Sequence, residues 1–84
     1  DWAAMQYKLG LIYFLRIKGD EADNIEQAIV CYEAALEVYT RNDFPQDWAM
    51  TQSFLGITYS DRIKGDEADN IEQAIVCYEA ALEV

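Results

Sequence analysis

Eighty-four residues, 52% of them apolar, suffice for one small domain in a size range where a single core stabilises only marginally. The net charge of −10, from 6 basic and 16 acidic residues, disfavours nucleic acid and anionic membrane and favours neutral or basic partners. Without histidine or a signal-peptide pattern, and with no apolar run longer than Leu9–Leu15, neither a zinc finger nor a membrane span of roughly 20 residues is expected.

In chain order, the first expected helix (helix A) runs from about 2 to 17, with Gly19 just past its end as a left-handed stop. A loop over 18–23 follows. Asn24, with Gln27 three residues on and Glu26 in the first turn, suits the N-cap of a second helix (helix B) over about 25–41. Its apolar residues Ile25, Ala28, Ile29, Tyr32, Ala35, Leu36 and Tyr39 recur at three-and-four spacing, and Val30, Cys31, Ala34 and Val38 widen the stripe. Such a helix is expected to be buried on two sides, leaving Glu26, Glu33 and Glu37 to solvent. The linker 42–46 holds the single proline, Pro45, suited to a first helical turn. A third helix over about 47–63 and a fourth over about 71–84 complete the reading, with Gly65, Asn70 and Gln73 repeating the earlier signals.

These signals repeat because the chain does. Arg16–Val38 returns unchanged as Arg62–Val84, and Asp1-Trp2-Ala3 realigns with Asp47-Trp48-Ala49. The chain divides into units 1–46 and 47–84, the second truncated, and the expected class is all-α, two antiparallel helix pairs in a solenoid. It opens without methionine and stops at Val84, whereas the first unit continues through Tyr39-Thr40-Arg41. It therefore reads as a segment of a longer array whose ends lack their caps.

Leu9-Gly10-x-x-Tyr13 followed by Ala28-x-x-x-Tyr32-x-x-Ala35 recurs as Leu55-Gly56-x-x-Tyr59 and Ala74-x-x-x-Tyr78-x-x-Ala81. This pattern resembles the tetratricopeptide repeat, in a long-helix variant whose period exceeds the usual 34 residues or so. Trp2 and Trp48 stand one turn before the position where that family carries tryptophan, which Gln6 and Gln52 occupy here.

All differences between the units fall at positions 4, 5, 7, 8, 11, 12, 14 and 15 and their counterparts. At about 100° per residue these fill one arc of helix A, opposite an unchanged arc containing Trp2, Ala3, Gln6, Leu9, Gly10, Tyr13, Arg16 and Ile17. The unchanged arc is expected to pack on the unchanged helix B. In the family the concave surface is lined by helix A, so the resemblance implies partner-binding residues Ala4, Tyr7, Leu11, Phe14 and Leu15, with Met50, Ser53, Ile57, Ser60 and Asp61 in the second unit. Met5/Thr51 and Ile12/Thr58 lie at the edge of the arc, near a neighbouring helix.

Nothing in the sequence suggests chemistry. Cys31 and Cys77 are copies of one helical position and read as small core residues of a reducing compartment, hence cytoplasmic. The acidic loop Asp20–Asn24 and its copy lack the alternating carboxylates, central glycine and terminal glutamate of a calcium loop. Ser53 and Ser60 have no histidine to activate them, and no glycine-rich phosphate loop occurs. An enzyme, a cofactor or a metal is not expected. The expected function is a protein–protein interaction scaffold whose concave helix A face binds a peptide or helix. The alternative is a structural repeat module whose apolar helix A arc and uncapped ends drive oligomerisation or domain exchange.

Overall fold

The computed structural model describes residues 1–16 and 19–84, and these form four helices: α1 (Trp2–Leu15), α2 (Glu21–Leu36), α3 (Pro45–Ser60) and α4 (Glu67–Leu82). Helix α1 packs on α2, α3 on α4, and α2 on α3, and no strand occurs among the described residues. The fold is all-α. With extents of 35 × 29 × 15 Å it is thin enough that each helix keeps a solvent-facing side.

The helix starts differ from expectation for a local reason. Helix B begins at Glu21 rather than near Ile25, because Asp20 takes the N-cap: its Oδ1 accepts from the Ala22 and Asp23 amides at 2.8 and 3.3 Å. Asp66 does the same for α4. Aspartate caps as well as asparagine, and it directly follows Gly19 or Gly65, whose φ of +83° turns the chain into the helix. The glycines thus precede helix B rather than immediately closing helix A. Asn24 and Asn70, freed from capping, are buried and tie the preceding loop: their side-chain amides donate to the Arg16 carbonyl at 3.4 Å and the Lys64 carbonyl at 2.9 Å.

The other boundaries shift as well. Helix α1 ends at Leu15, and Ile17 and Lys18, the expected helix end and loop start, lie outside the described residues. Helix α3 starts at Pro45 and stops at Ser60, not near Ile63, while α4 stops at Leu82. Helix α2 ends at Leu36 instead of near Arg41; Tyr39 beyond it is buried with Ala3 and Ala35 and meets Phe44 edge-on at 5.6 Å.

The main core gathers Ile25, Ala28, Ile29 and Tyr32 of α2 with Leu55 of α3 and Cys77 of α4. Tyr7, Tyr32 and Phe54 form an aromatic cluster with centroid separations of 5.7–6.3 Å. Thr51 and Thr58 are also fully enclosed, which their hydroxyls allow by donating to the carbonyls of Asp47 and Phe54 at 2.7 Å. Two expectations for helix B need correction. Val30 and Val38 are exposed instead of widening the buried stripe. Glu26 is half-buried rather than left to solvent, and it and the exposed Glu33 hold the C-terminal end of α3 and the residues after it.

That hold is a clasp at one end of the α2–α3 contact. Arg62 donates from Nε and Nη2 to the two Glu26 oxygens at 2.8 and 2.6 Å, Lys64 reaches Asp23 at 2.6 Å, and the Tyr59 hydroxyl donates to Glu33 at 3.4 Å. The Arg62 hydrogen bonds hold the Glu26 carboxyl below its ordinary value of 4.5. A lowered carboxylate contributes stability that is complete above the unfolded-state value and lost as pH falls through the folded one. Glu26→Gln is therefore expected to cost about 1 kcal/mol at neutral pH and progressively less below pH ~4. Urea unfolding of both proteins across that range checks it; a constant difference would contradict the clasp.

Candidate protein-binding face

Helix A of each unit rests on its own helix B through small residues. Ala3 and Gly10 are buried, and Gly10 lets the Tyr32 ring lie against the α1 backbone: a Cβ there would stand 2.8 Å from Tyr32 Cε1. This seating fixes where the remaining positions of α1 point. Tyr7, Leu11 and Phe14 pack half-buried against the main core, Ala4 is half-buried, and Leu15 is exposed. Of the counterparts on α3, Met50, Ile57, Ser60 and Asp61 are exposed and Ser53 is half-buried. The Ser60 hydroxyl donates to the Ile57 carbonyl at 2.7 Å and so serves its own helix.

Two adjoining clefts bring part of this set together. One of about 390 Å³ is lined by Phe14, Arg16, Glu21, Asn24, Ile25 and Asp61. The other, about 400 Å³, shares Phe14, Arg16 and Glu21 and adds Leu15 and Gly19. Phe14, Leu15 and Asp61 thus meet where α1 and α3 end and α2 begins. Ala4, Tyr7, Leu11, Met50, Ser53, Ile57 and Ser60 do not line these clefts.

Sequence reasoning passed over two apolar surfaces. On α1, Trp2 and Leu9, expected to pack on helix B, are instead exposed together with Met5 and Ile12, and the four line a shallow cleft of about 310 Å³ with Gln6 and Lys8. The signal was the pairing of Met5 and Ile12 with Thr51 and Thr58, the same positions being buried on α3. The second surface lies on α4. Ile71, Ile75 and Tyr78 are 46%, 44% and 38% exposed, whereas their counterparts Ile25, Ile29 and Tyr32, covered by α3, are 4%, 7% and 0% exposed. Identical sequences therefore show directly which face a neighbouring helix A covers.

Residues 48–84 match the family model of the tetratricopeptide repeat. The chain is a tetratricopeptide-like repeat protein. Within the matched stretch, Arg62–Val84 recurs letter for letter as Arg16–Val38, so the likeness reaches the first helix pair too. Searches of curated proteins and of solved structures returned no match. As a tetratricopeptide-like chain it is a protein-interaction repeat module in general character. No helix among the described residues is long and apolar enough to cross a membrane, and no group of three or more cysteine or carboxylate side chains able to hold a metal occurs among them. Burial raises the Cys31 and Cys77 thiols above their ordinary value, which keeps them protonated and poorly nucleophilic.

Proposed function

We propose that this tetratricopeptide-like chain binds a peptide or helix of another protein along its helix A side, with the Phe14–Leu15–Asp61 clefts as anchor. The observation that carries the reading is the meeting of exposed apolar surface with carboxylates in those clefts. Leu15 and the open edge of Phe14 would receive an apolar side chain, while Asp61 and Glu21 would receive a lysine or arginine beside it. Arg16 in the same clefts limits how much positive charge they accept. The excess of acidic residues favours such a partner at long range as well.

Exposed Leu15 and Asp61 are better probes than Phe14, whose contact with the core makes its replacement a stability change too. Peptides selected from a displayed library on the wild-type chain are expected to pair an apolar residue with lysine or arginine. Leu15→Asp and Asp61→Lys should each weaken the selected peptides about tenfold or more without loss of helicity. Selected peptides that bind both variants as tightly as the parent would exclude this anchor.

A further inference from the structure

We propose that Arg62 is the positioning residue of the peptide anchor: by gripping Glu26 it holds the end of α3, and with it Asp61, at the rim of the larger cleft. The inference rests on the peptide-binding reading above and names what sets its charge specificity. Ile25 and Asp61 both line that cleft, and the residues following them, Glu26 and Arg62, form the ion pair with two hydrogen bonds of 2.8 and 2.6 Å. The α2 wall and the α3 rim are thus joined one residue away from the positions a peptide would touch. Burial along α3 ends at Thr58. Beyond it Tyr59 and Arg62 are half-buried, and Ser60, Asp61, Ile63 and Lys64 are exposed.

Polar bonds take over from that point. The Arg62 guanidinium lies over the Tyr59 ring at 5.9 Å and donates to Asn70 Oδ1 of α4 at 3.2 Å as well as to Glu26, while Lys64 reaches Asp23. Arg62 therefore ties α2, α3 and α4 together beside the cleft. The pairing also decides which acids stay open. Glu26 and Asp23 take up the two cations that follow Asp61, so the Asp61 and Glu21 carboxylates are in no ion pair among the described residues. Released from Glu26, the Arg62 guanidinium would compete for Asp61 with a lysine or arginine of the ligand. The grip thus both places the anchor charge and keeps it from being neutralised.

The test uses the whole 84-residue chain and a cationic peptide from the displayed library, with a copy carrying methionine at the cationic position. Wild type is expected to prefer the cationic peptide about tenfold. Charge alone would make Glu26→Gln lower that preference and Arg62→Gln raise it, since one removes a negative and the other a positive charge. Positioning requires both to lower it, each to about threefold or less. Nitrogen-15 relaxation without peptide reads the placement itself: the backbone order parameter at Asp61, about 0.85 as in rigid structure, should fall toward about 0.6 in both variants. Circular dichroism shows whether the variants keep their helices. If either does not, Arg62→Lys decides, because it keeps the charge but cannot bond both Glu26 oxygens through a planar fork, and it should show the same two losses. An Asp61 order parameter that is low in wild type or unchanged in the variants, or a preference that moves in opposite directions in the two, overturns the proposal. Order lost at Asp61 with peptides indifferent to Leu15→Asp and Asp61→Lys upholds the positioning and refutes the cleft as the binding site instead.

Discussion

Tyr32→Ala is expected to lower the unfolding free energy by about 3–5 kcal/mol, whereas the same change at its repeat, Tyr78→Ala, should cost about 1–2 kcal/mol. Both tyrosines occupy the same place in the same 16-residue helix sequence. Tyr32 is fully enclosed beside Tyr7, Phe54 and the α1 backbone, so its removal leaves a cavity that no neighbour can fill without breaking other contacts. Tyr78 lies open on one side, and water takes the vacated space. For a chain of this length, stabilities of 4–13 kcal/mol or so are ordinary, so the first change removes a large share. Tyr32→Phe separates the ring from its hydroxyl, which is buried with no hydrogen-bond partner among the described residues. That change should be neutral or slightly stabilising, because no bond is lost and a desolvated polar group is removed. Urea unfolding at low protein concentration measures all three. Equal costs at Tyr32 and Tyr78 would mean that α4 is as well covered as α2.

Gly10→Ala is the second large effect, and it runs against helix propensity. Alanine within a helix is ordinarily better than glycine by about 0.5–1 kcal/mol. Here the added Cβ would meet Tyr32 carbons at 2.8, 3.0 and 3.1 Å, and that ring is pinned by Tyr7 and Phe54. Overpacking of this kind costs about 1–3 kcal/mol, so the net result is destabilisation. At Gly56 the corresponding distances to Tyr78 are 3.0, 3.1 and 3.2 Å, and the ring can swing toward its open side. Gly56→Ala is therefore expected to be close to neutral. Combining Gly10→Ala with Tyr32→Ala should cost less than the sum of the two, since the clash disappears with the ring. Additive costs would place the strain elsewhere.

The two glycines show how far local pattern reaches. Leu9-Gly10 and Leu55-Gly56 mark a close approach between helices A and B in the sequence, but the partner ring and its freedom to move depend on what lies beyond it. Capping shows the opposite limit, a competition between two good residues. Asp20 and Asn24 both suit an N-cap by type, and Asp20 prevails because Asn24 is needed to bond the Arg16 carbonyl across the loop. Periodicity likewise could not rank the apolar positions of helix B: Cys31 is buried, while its neighbour Val30 is exposed.

The candidate site divides in the same way. The eight positions that vary between units read as a face left free to change, and Leu15 and Asp61 are exposed in keeping with that. Tyr7, Leu11 and Phe14, however, pack against the core, and Thr51 and Thr58 are enclosed where α3 meets α2. Variation at these positions reflects packing between units of different side-chain volume, a property of pairs of helices that one helix wheel does not contain.

The sequence by itself determined the four helices, their pairing into two related units, the left-handed glycines between helices A and B and the acidic charge, because these depend on residues near one another in the chain or on simple composition. Only the tertiary structure decided which of two identical helices is covered. Ile25, Ile29 and Tyr32 lie beneath α3, while Ile71, Ile75 and Tyr78 lie open, since burial belongs to a contact between helices and no described helix covers that face of α4.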